Sequence, residues 1–461
     1  MRECVLRSLL LLAFSGVVAG QGADEQPSSG VPWERVEKAA EVGFSRDLLD
    51  EVDAYARTLN TDGMVVVVGG RVLFEYGDVE VQSYVASVRK SILSMLYGNY
   101  VAEGAIDLNL TLEEMGMDDV GGLLPIERRA KVQDLITARS GVYHAASNPG
   151  DNLADAPPRG SQEPGTYMLY SNWDFNAAGA VFEQLTGRNI YDALSTDLVE
   201  PLRLQDWDRA RHRKTGDVSR SVNLAYHMTF STRDMARFGE LMLREGSWNG
   251  EQVIPRDWAK RIVAVITPSA EMNPATLRGG QFGYGHMWWV WDGPLVPCAF
   301  KGAYTARGAF GQYITIIPEL DMVVAHKTIP EDTTGWSQYA GLLNRIVAAR
   351  TKPVCTDSEH PQALEEFTQR TEIDVPESIL LTYAGEYQLD SERRITILVE
   401  DGALWGQISG LPRLALFAES ETNFFLKVED TQLSFTKDES GAVNGFILHQ
   451  GGQDRVVSRI R

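Results

Sequence analysis

Apolar and polar positions follow two different periods along the chain, and the order of those periods divides it. Behind Ser45, apolar side chains fall at 48, 49, 52, 55 and 59, the spacing and N-cap of an amphipathic helix. Residues 64–68 read Met-Val-Val-Val-Val and 71–76 read Arg-Val-Leu-Phe-Glu-Tyr, with Gly69-Gly70 between them. Two β-rich runs across a glycine pair predict a hairpin, and four consecutive valines predict a strand covered on both faces. Ile92, Leu93, Met95, Leu96 and Tyr97 then return to helical spacing. Residues 100–210 read as mostly helical with long loops. A helix is expected over 132–142, stopped by Gly141, followed by a loop over 144–165 rich in Pro, Gly, Asp and Asn. Asn172 opens a helix that runs through Phe175, Ala178, Val181, Phe182 and Leu185 to Thr186-Gly187, and Ser231 or Thr232 caps another. Strands return over 281–327, where 313–318 and 322–326 are expected to pair across Glu319-Leu320-Asp321.

The pattern weakens and charge rises over 351–375, which reads as a linker. Over 376–461 short strands recur at roughly ten-residue intervals, with turns such as Asp401-Gly402 and Ser440-Gly441; this is the signature of a small all-β barrel or sandwich.

Composition narrows the classes. A chain of 461 residues, 44% hydrophobic and 23% charged, has room for two or three domains with ordinary cores. A net charge of −20 argues against nucleic acid as a partner, because phosphate binding needs basic patches. Arg2 and Arg7, the apolar run 9–14 and the small residues around Ala19-Gly20 read as a signal peptide over 1–20, leading to a periplasmic or secreted protein with a flexible lead over 21–39. No stretch is apolar for long enough to span a membrane. Outside the leader, Cys298 and Cys355 remain, either as a disulfide or as two buried thiols. No Cys/His spacing for metal and no phosphate-cradling glycine loop occurs, so neither metal nor cofactor is expected.

Candidate chemistry starts at Ser87-Val88-Arg89-Lys90, which places a hydroxyl and an amine one helical turn apart at a helix start. A serine hydroxyl becomes nucleophilic only when a neighbouring base takes its proton. Tyr170-Ser171-Asn172 supplies a phenol that serves as a base when a lysine stabilises its phenolate, and an amide that holds both lysine and substrate. A strand of the 281–327 sheet would supply backbone N–H groups to an oxyanion. Tyr143 and His144 are expected on a surface loop, with lining of the pocket as the alternative, Trp173, Trp288 and Trp289 in a core or as cleft walls, His286 and His326 as structural histidines, and Asp234 as a first-turn helix acid.

In this order the elements resemble the serine β-lactamase and penicillin-binding-protein superfamily, in the branch of class C β-lactamases, family VIII esterases and 6-aminohexanoate-dimer hydrolases. The matching residues are the 64–76 hairpin, Ser87 to Lys90, Asp134-Leu135-Ile136-Thr137 with Ser140-Gly141, Pro164-Gly165, Tyr170-Ser171-Asn172, Pro201-Leu202, 231–239 and 311–320. The resemblance implies an α/β (α+β) β-lactamase/transpeptidase-like domain over 40–350, with an antiparallel sheet and a helical insertion, and a C-terminal β-barrel similar to the lipocalin-like domain of some exported members. It implies acyl transfer by Ser87, Lys90 and Tyr170 on a small-molecule or peptide-like substrate, with Asn172 beside them. By position, Ala306-Arg307-Gly308-Ala309 stands where the family carries Lys-Thr-Gly or His-Thr-Gly, and Ala309 with Ser87 would offer the oxyanion N–H groups. The literal Lys214-Thr215-Gly216 precedes the 231 helix and reads as a coincidence. Ala306 in place of Lys or His favours an ester or amide over a β-lactam; Arg307 either meets a substrate carboxylate or points to solvent. A weak β-lactamase or D-amino-acid peptidase, and a catalytically quiet binding or sensor protein, are the competing readings.

Overall fold

The computed structural model describes residues 33–460, apart from 149, 151, 330–332, 355–362, 367–369, 390–392, 409–412, 428–430 and 451–452. The leader expected over 1–20 lies outside the described residues. Ser45 caps α1 (Arg46–Ala56), accepting from the Leu48 N–H. Strands β1 (Gly63–Val68) and β2 (Arg71–Gly77) form the expected hairpin. Gly69 and Gly70 adopt φ of 58° and 76°, the left-handed pair a two-residue turn requires. Val65 and Val67 face one core while Met64, Val66 and Val68 face another, so the valine run is covered on both sides. Each fully buried valine contributes roughly 1.5 kcal/mol or more.

Helix α2 (Val88–Ala102) follows and is buried along nearly its whole length. The insertion after it contains α3 (Val132–Ile136) and α4 (Asn172–Thr186). Helix α3 is shorter than its apolar pattern predicts. The Thr137 hydroxyl bonds back to the Gln133 carbonyl, Ala138 turns left-handed at φ 56°, and the Arg139 guanidinium is drawn to the Gly165 carbonyl at 2.9 Å. Gly187, at φ 66°, ends α4, and Ser231 caps α5 (Thr232–Leu243).

The chain then completes the sheet with β3 (Phe282–Tyr284), β4 (Trp289–Trp291), β5 (Tyr304–Gly308), β6 (Gln312–Ile317) and β7 (Met322–Lys327). Seven antiparallel strands lie in the order β2-β1-β7-β6-β5-β4-β3. Helices α2 and α5 cover one face; α1 and α6 (Trp336–Ala348) cover the other.

The stretch read as a linker is pinned at both ends. Leu364 is buried and exchanges two hydrogen bonds with Asn344 of α6, and the Ile373 N–H bonds to the Ala418 carbonyl. Helix α7 (Glu377–Tyr383) leads into β8 (Gly385–Gln388), β9 (Arg394–Glu400), β10 (Ala403–Ile408), β11 (Leu414–Ala418), β12 (Asn423–Phe425), β13 (Thr431–Lys437), β14 (Val443–Gln450) and β15 (Gln453–Arg459). These strands pair in chain order, and β8 pairs with β15 to close an eight-stranded barrel rather than a sandwich. Tyr383, Tyr387, Phe424, Phe435 and Phe446 pack against one another in its core, so the interior is filled by rings. Arg393, just before β9, lies 3.7 Å from Asp155 in the insertion. Cys298 is disulfide-bonded; Cys355 lies outside the described residues. Among the described residues no helix is long and apolar enough to cross a membrane.

Candidate active site

The site begins at a strained residue. Ala86 takes φ 47°, a conformation non-glycine residues rarely adopt, and turns the chain so that Ser87 meets the first turn of α2. Ser87 stands at the N-cap position, but its hydroxyl caps nothing. Its Oγ instead accepts from Lys90 Nζ at 3.0 Å. Lys90 is 1% exposed, and the same Nζ donates to Tyr170 Oη at 2.6 Å and Asn172 Oδ1 at 2.7 Å. Three acceptors match the three protons of an ammonium. The Tyr170 and Phe175 rings lie 4.1 and 4.4 Å from Nζ, so aromatic faces also hold the charge. Ser87, Lys90, Tyr170 and Asn172 are thus brought together.

The Tyr170 segment is fixed by hydrogen bonds along its backbone. The Leu169 N–H bonds to the Ala138 carbonyl and the Tyr170 carbonyl accepts from the Asn152 N–H, which ties it to the turn after α3 and to the long loop. Ser140 Oγ donates to Asp174 Oδ1 at 2.6 Å and locks that turn to the first turn of α4. Trp289 stacks on Tyr170, with ring centres 5.5 Å apart.

Strand β5 supplies the opposite wall. A Cβ on Gly308 would stand 2.6 Å from the Val85 carbonyl oxygen and 3.2 Å from the Ser87 nitrogen, so β5 approaches the start of α2 as closely as only glycine allows. Among the described residues the N–H groups of Ser87 and Ala309 donate to no protein acceptor, and Ala309 is exposed. Phe310 and Gly311 turn the chain into β6 at φ 69° and 99°. His326 holds this turn: Nδ1 donates to the Gly311 carbonyl at 2.7 Å and Nε2 accepts from Thr61 Oγ1 at 2.9 Å. Burial lowers its pKa to about 4, which keeps the ring neutral for that arrangement.

Ala306 is fully buried on the α2 side of the sheet. Arg307 is half-buried, and among the described residues its guanidinium meets no carboxylate. Its guanidinium lies 4.5, 4.9 and 4.7 Å from the Phe282, Trp289 and Trp336 ring centres. Lys214 pairs with Glu183 on α4, in a small ladder with 225–227, and takes no part in the site. Tyr143 and His144 are buried rather than on the surface, and both His144 ring nitrogens contact backbone carbonyls. Trp173 and Trp288 belong to the core; of the three tryptophans, Trp289 walls the site. The Asp234 carboxylate accepts from the Gln205 and Asp206 N–H groups inside the protein, as a structural acid.

Sequence reasoning missed Arg89, whose guanidinium donates to Asn176 Oδ1 at 3.0 Å and lies 4.2 Å from the Tyr226 ring, bracing α2 against α4. It also missed Ser91, whose hydroxyl bonds to the Met287 carbonyl and holds the loop before Trp289. Both lie within four residues of Ser87, but their partners are distant in sequence, so no local pattern marks them. The described residues contain no cluster of groups that would hold a metal ion.

Residues 52–327 match the Beta-lactamase family model, which covers more than half of the chain, and residues 369–458 match a domain of unknown function (DUF3471). The chain is 27% identical over 186 residues to a penicillin-binding protein of Bacillus subtilis, an alignment covering 36% of this chain and 40% of that one. It is 22% identical over 273 residues to an uncharacterised protein of Alkalihalophilus pseudofirmus, covering 53% and 72%. A Bacillus anthracis protein named for 6-aminohexanoate-dimer hydrolysis superposes with a TM-score of 0.51 at 19% identity, over 69% of this chain and 88% of its own. The match to the Bacillus subtilis protein therefore spans less than half of that relative's length, and the last likeness is one of fold.

Proposed function

Because the chain belongs to the beta-lactamase family, whose members are serine hydrolases, we propose that it is an exported enzyme that forms an acyl-enzyme on Ser87 and hydrolyses an ester or an amide. The observation that carries this reading is the single Lys90 amine joining the Ser87 hydroxyl, the Tyr170 phenol and the Asn172 amide. A positive charge 2.6 Å from a phenol oxygen favours the phenolate. Tyr170 then takes the Ser87 proton as Oγ bonds to the substrate carbonyl carbon. The carbonyl oxygen becomes an oxyanion between the Ser87 and Ala309 N–H groups. Collapse expels the leaving group, which takes the proton back from Tyr170. Water repeats the sequence on the acyl-enzyme and frees Ser87. No step calls for a cofactor.

Ala306 supports ester or amide chemistry over β-lactam chemistry, since no cation stands at that position to meet a β-lactam carboxylate. The barrel, with its filled interior and Arg393 beside Asp155, is read as a wall that narrows the cleft rather than as a carrier of ligand. A fluorophosphonate probe tests the core claim. The wild type is expected to label and Ser87→Ala not to; absence of label on folded wild-type protein refutes the hydrolase and leaves the quiet binding protein. A panel of p-nitrophenyl esters, D-amino-acid amides, short linear amides and nitrocefin then ranks the substrates.

A further inference from the structure

We propose that a cavity at the end of the sheet remote from Ser87 is a saccharide-binding site built on Trp33, Trp248 and Glu240. The inference goes beyond the acyl-transfer reading and does not rest on it. Strand β1 runs from Met64, which pairs with His326, to Val68, which pairs with Met322. His326 holds the turn next to Gly308 and Ser87, so the Gly69-Gly70 turn stands at the other end of the strand, roughly 15–20 Å away. The cavity lies beside that turn and holds about 680 Å³, within the range of small-molecule sites of roughly 300–1,000 Å³.

Two half-buried tryptophans from distant segments meet there. Trp33 donates its indole N–H to the Gly70 carbonyl at 2.8 Å. Trp248 is carried on a tight hairpin, paired with Glu251 across Asn249-Gly250, which adopt φ of 49° and 85°. The ring centres are 5.6 Å apart at 61°. The Arg237 guanidinium lies 5.6 and 5.7 Å from the two rings, bonds the Leu202 and Arg203 carbonyls, and so braces both indoles. Glu240, which also lines the cavity, is 4% exposed. One of its carboxylate oxygens accepts from Arg244 Nε at 2.7 Å, while Oε2 has no partner among the described residues. Trp248 Nε1, a donor, is likewise enclosed and unmet.

An enclosed acceptor and an enclosed donor each cost about 1–3 kcal/mol when unmet. A hydroxyl both donates and accepts, so one kind of group on a ligand answers both. Arg203, Arg237 and Arg244 stand in the lining with Glu34, Glu240 and Glu245, and their charges cancel. Net charge therefore favours neither a phosphate or carboxylate ligand nor a cation. Aromatic faces, an unmet donor and acceptor, and cancelled charge together describe the wall for a neutral sugar ring. The C–H face of a pyranose packs on an indole, and its hydroxyls reach Glu240 and Arg244.

Isothermal titration with cellobiose, maltose and N,N′-diacetylchitobiose tests the site. At least one of the three is expected to bind with a Kd of about 1 mM or tighter. Glu240→Gln and Trp248→Ala are each expected to weaken that binding about tenfold or more, and Trp248→Phe, which keeps a ring and removes the N–H, to retain part of it. Thermal melts check each fold. Where a truncation unfolds the protein, Ser247→Trp fills the cavity from a strand position and is expected to abolish binding. Ser87→Ala is expected to bind the sugar as the wild type does, because the acyl-transfer serine lies at the opposite end of the sheet. Failure of all three sugars to bind at about 10 mM, binding unchanged in folded Glu240→Gln and Trp248→Ala or in folded Ser247→Trp, or binding lost in Ser87→Ala overturns the proposal.

Discussion

Gly308→Ala isolates the oxyanion wall from the rest of the site. The backbone of Gly308 is not left-handed, so alanine meets no conformational penalty there. The whole effect comes from the new methyl group. It would stand 2.6 Å from the Val85 carbonyl oxygen and 2.9 Å from Gln312 Cβ, against an ordinary contact of about 3.4 Å. Relief moves the end of β5 away from the start of α2 by roughly 0.5–0.8 Å, and Ala309 moves with it. Displacements near 1 Å at a reacting centre cost on the order of 100-fold, and loss of one oxyanion donor costs about 100- to 1,000-fold in kcat. The expected fall is therefore about 10- to 100-fold in kcat, or roughly 1.4–2.7 kcal/mol of transition-state stabilisation, with KM less affected. Stopped assays with p-nitrophenyl butyrate give kcat and KM, and far-UV melting checks that the fold survives. If kcat stays within twofold of wild type while the fold is intact, β5 does not form the oxyanion wall and the assignment of Ala309 fails.

The other predictions concern the amine, the turn, and a buried lysine. Tyr170→Phe is expected to cut esterase kcat by about 100- to 10,000-fold with little loss of stability, and full turnover by the variant would remove Tyr170 as base. Lys90→Met, which replaces a buried ammonium by an apolar chain, should fall at least as far while fluorophosphonate labelling slows in parallel; rapid labelling would contradict its role. His326→Phe leaves the Gly311 carbonyl and Thr61 hydroxyl without their partner and should cost about 1–3 kcal/mol in urea unfolding, together with a loss of kcat; unchanged kcat would mean that the turn does not position Ala309. Burial lowers the Lys327 pKa to about 7, despite the nearby carboxylates of Asp62 and Asp234, while its amine bonds the Val81 and Phe230 carbonyls. A base depressed in the fold contributes stability that is complete above its unfolded pKa near 10.5 and is lost as pH falls towards 7. Urea midpoints measured between pH 7.5 and 9.5 should thus rise more in wild type than in Lys327→Met, by up to about 1.4 kcal/mol per pH unit; parallel curves would refute the shift.

Local patterns made part of this molecule legible. The 64–76 hairpin, the helices opened by Asn172 and Ser231, and the barrel strands were readable because their periodicity and turn residues agree with the tertiary fold. The helix over 132–142 misled because its apolar spacing continues beyond the point where Ala138 turns left-handed, a turn held by Gly165 and Leu169 from the far side of a long loop. The stretch read as a linker is polar in composition, yet Leu364 is buried and Leu364 and Glu366 bond Asn344 and Arg345 of α6, contacts that no local pattern marks. Closure of the barrel depends on the pairing of β8 with β15, which lie at opposite ends of the domain and which no local signal joins. In the candidate site, Ser87, Lys90, Tyr170 and Asn172 were legible as residue types at fixed spacing, and the three-way contact of one amine followed from the fold.

Arg307 shows why the third element resisted a reading from sequence. Successive side chains on a strand face opposite sides, so a cation moved by one residue changes face. Ala306 lies towards α2, where a lysine or histidine of the resembling family would stand, and Arg307 lies towards Phe282, Trp336 and the α6 side. By the rule of alternation this cation belongs to a different layer from Ser87 and is lost to the site. Trp289 bridges that separation, because the same indole that stacks on Tyr170 also packs against Arg307. Relative to the resembling family the sheet thus carries its cation one residue later, on the face of Phe282 and Trp336, with the Trp289 indole between it and Tyr170.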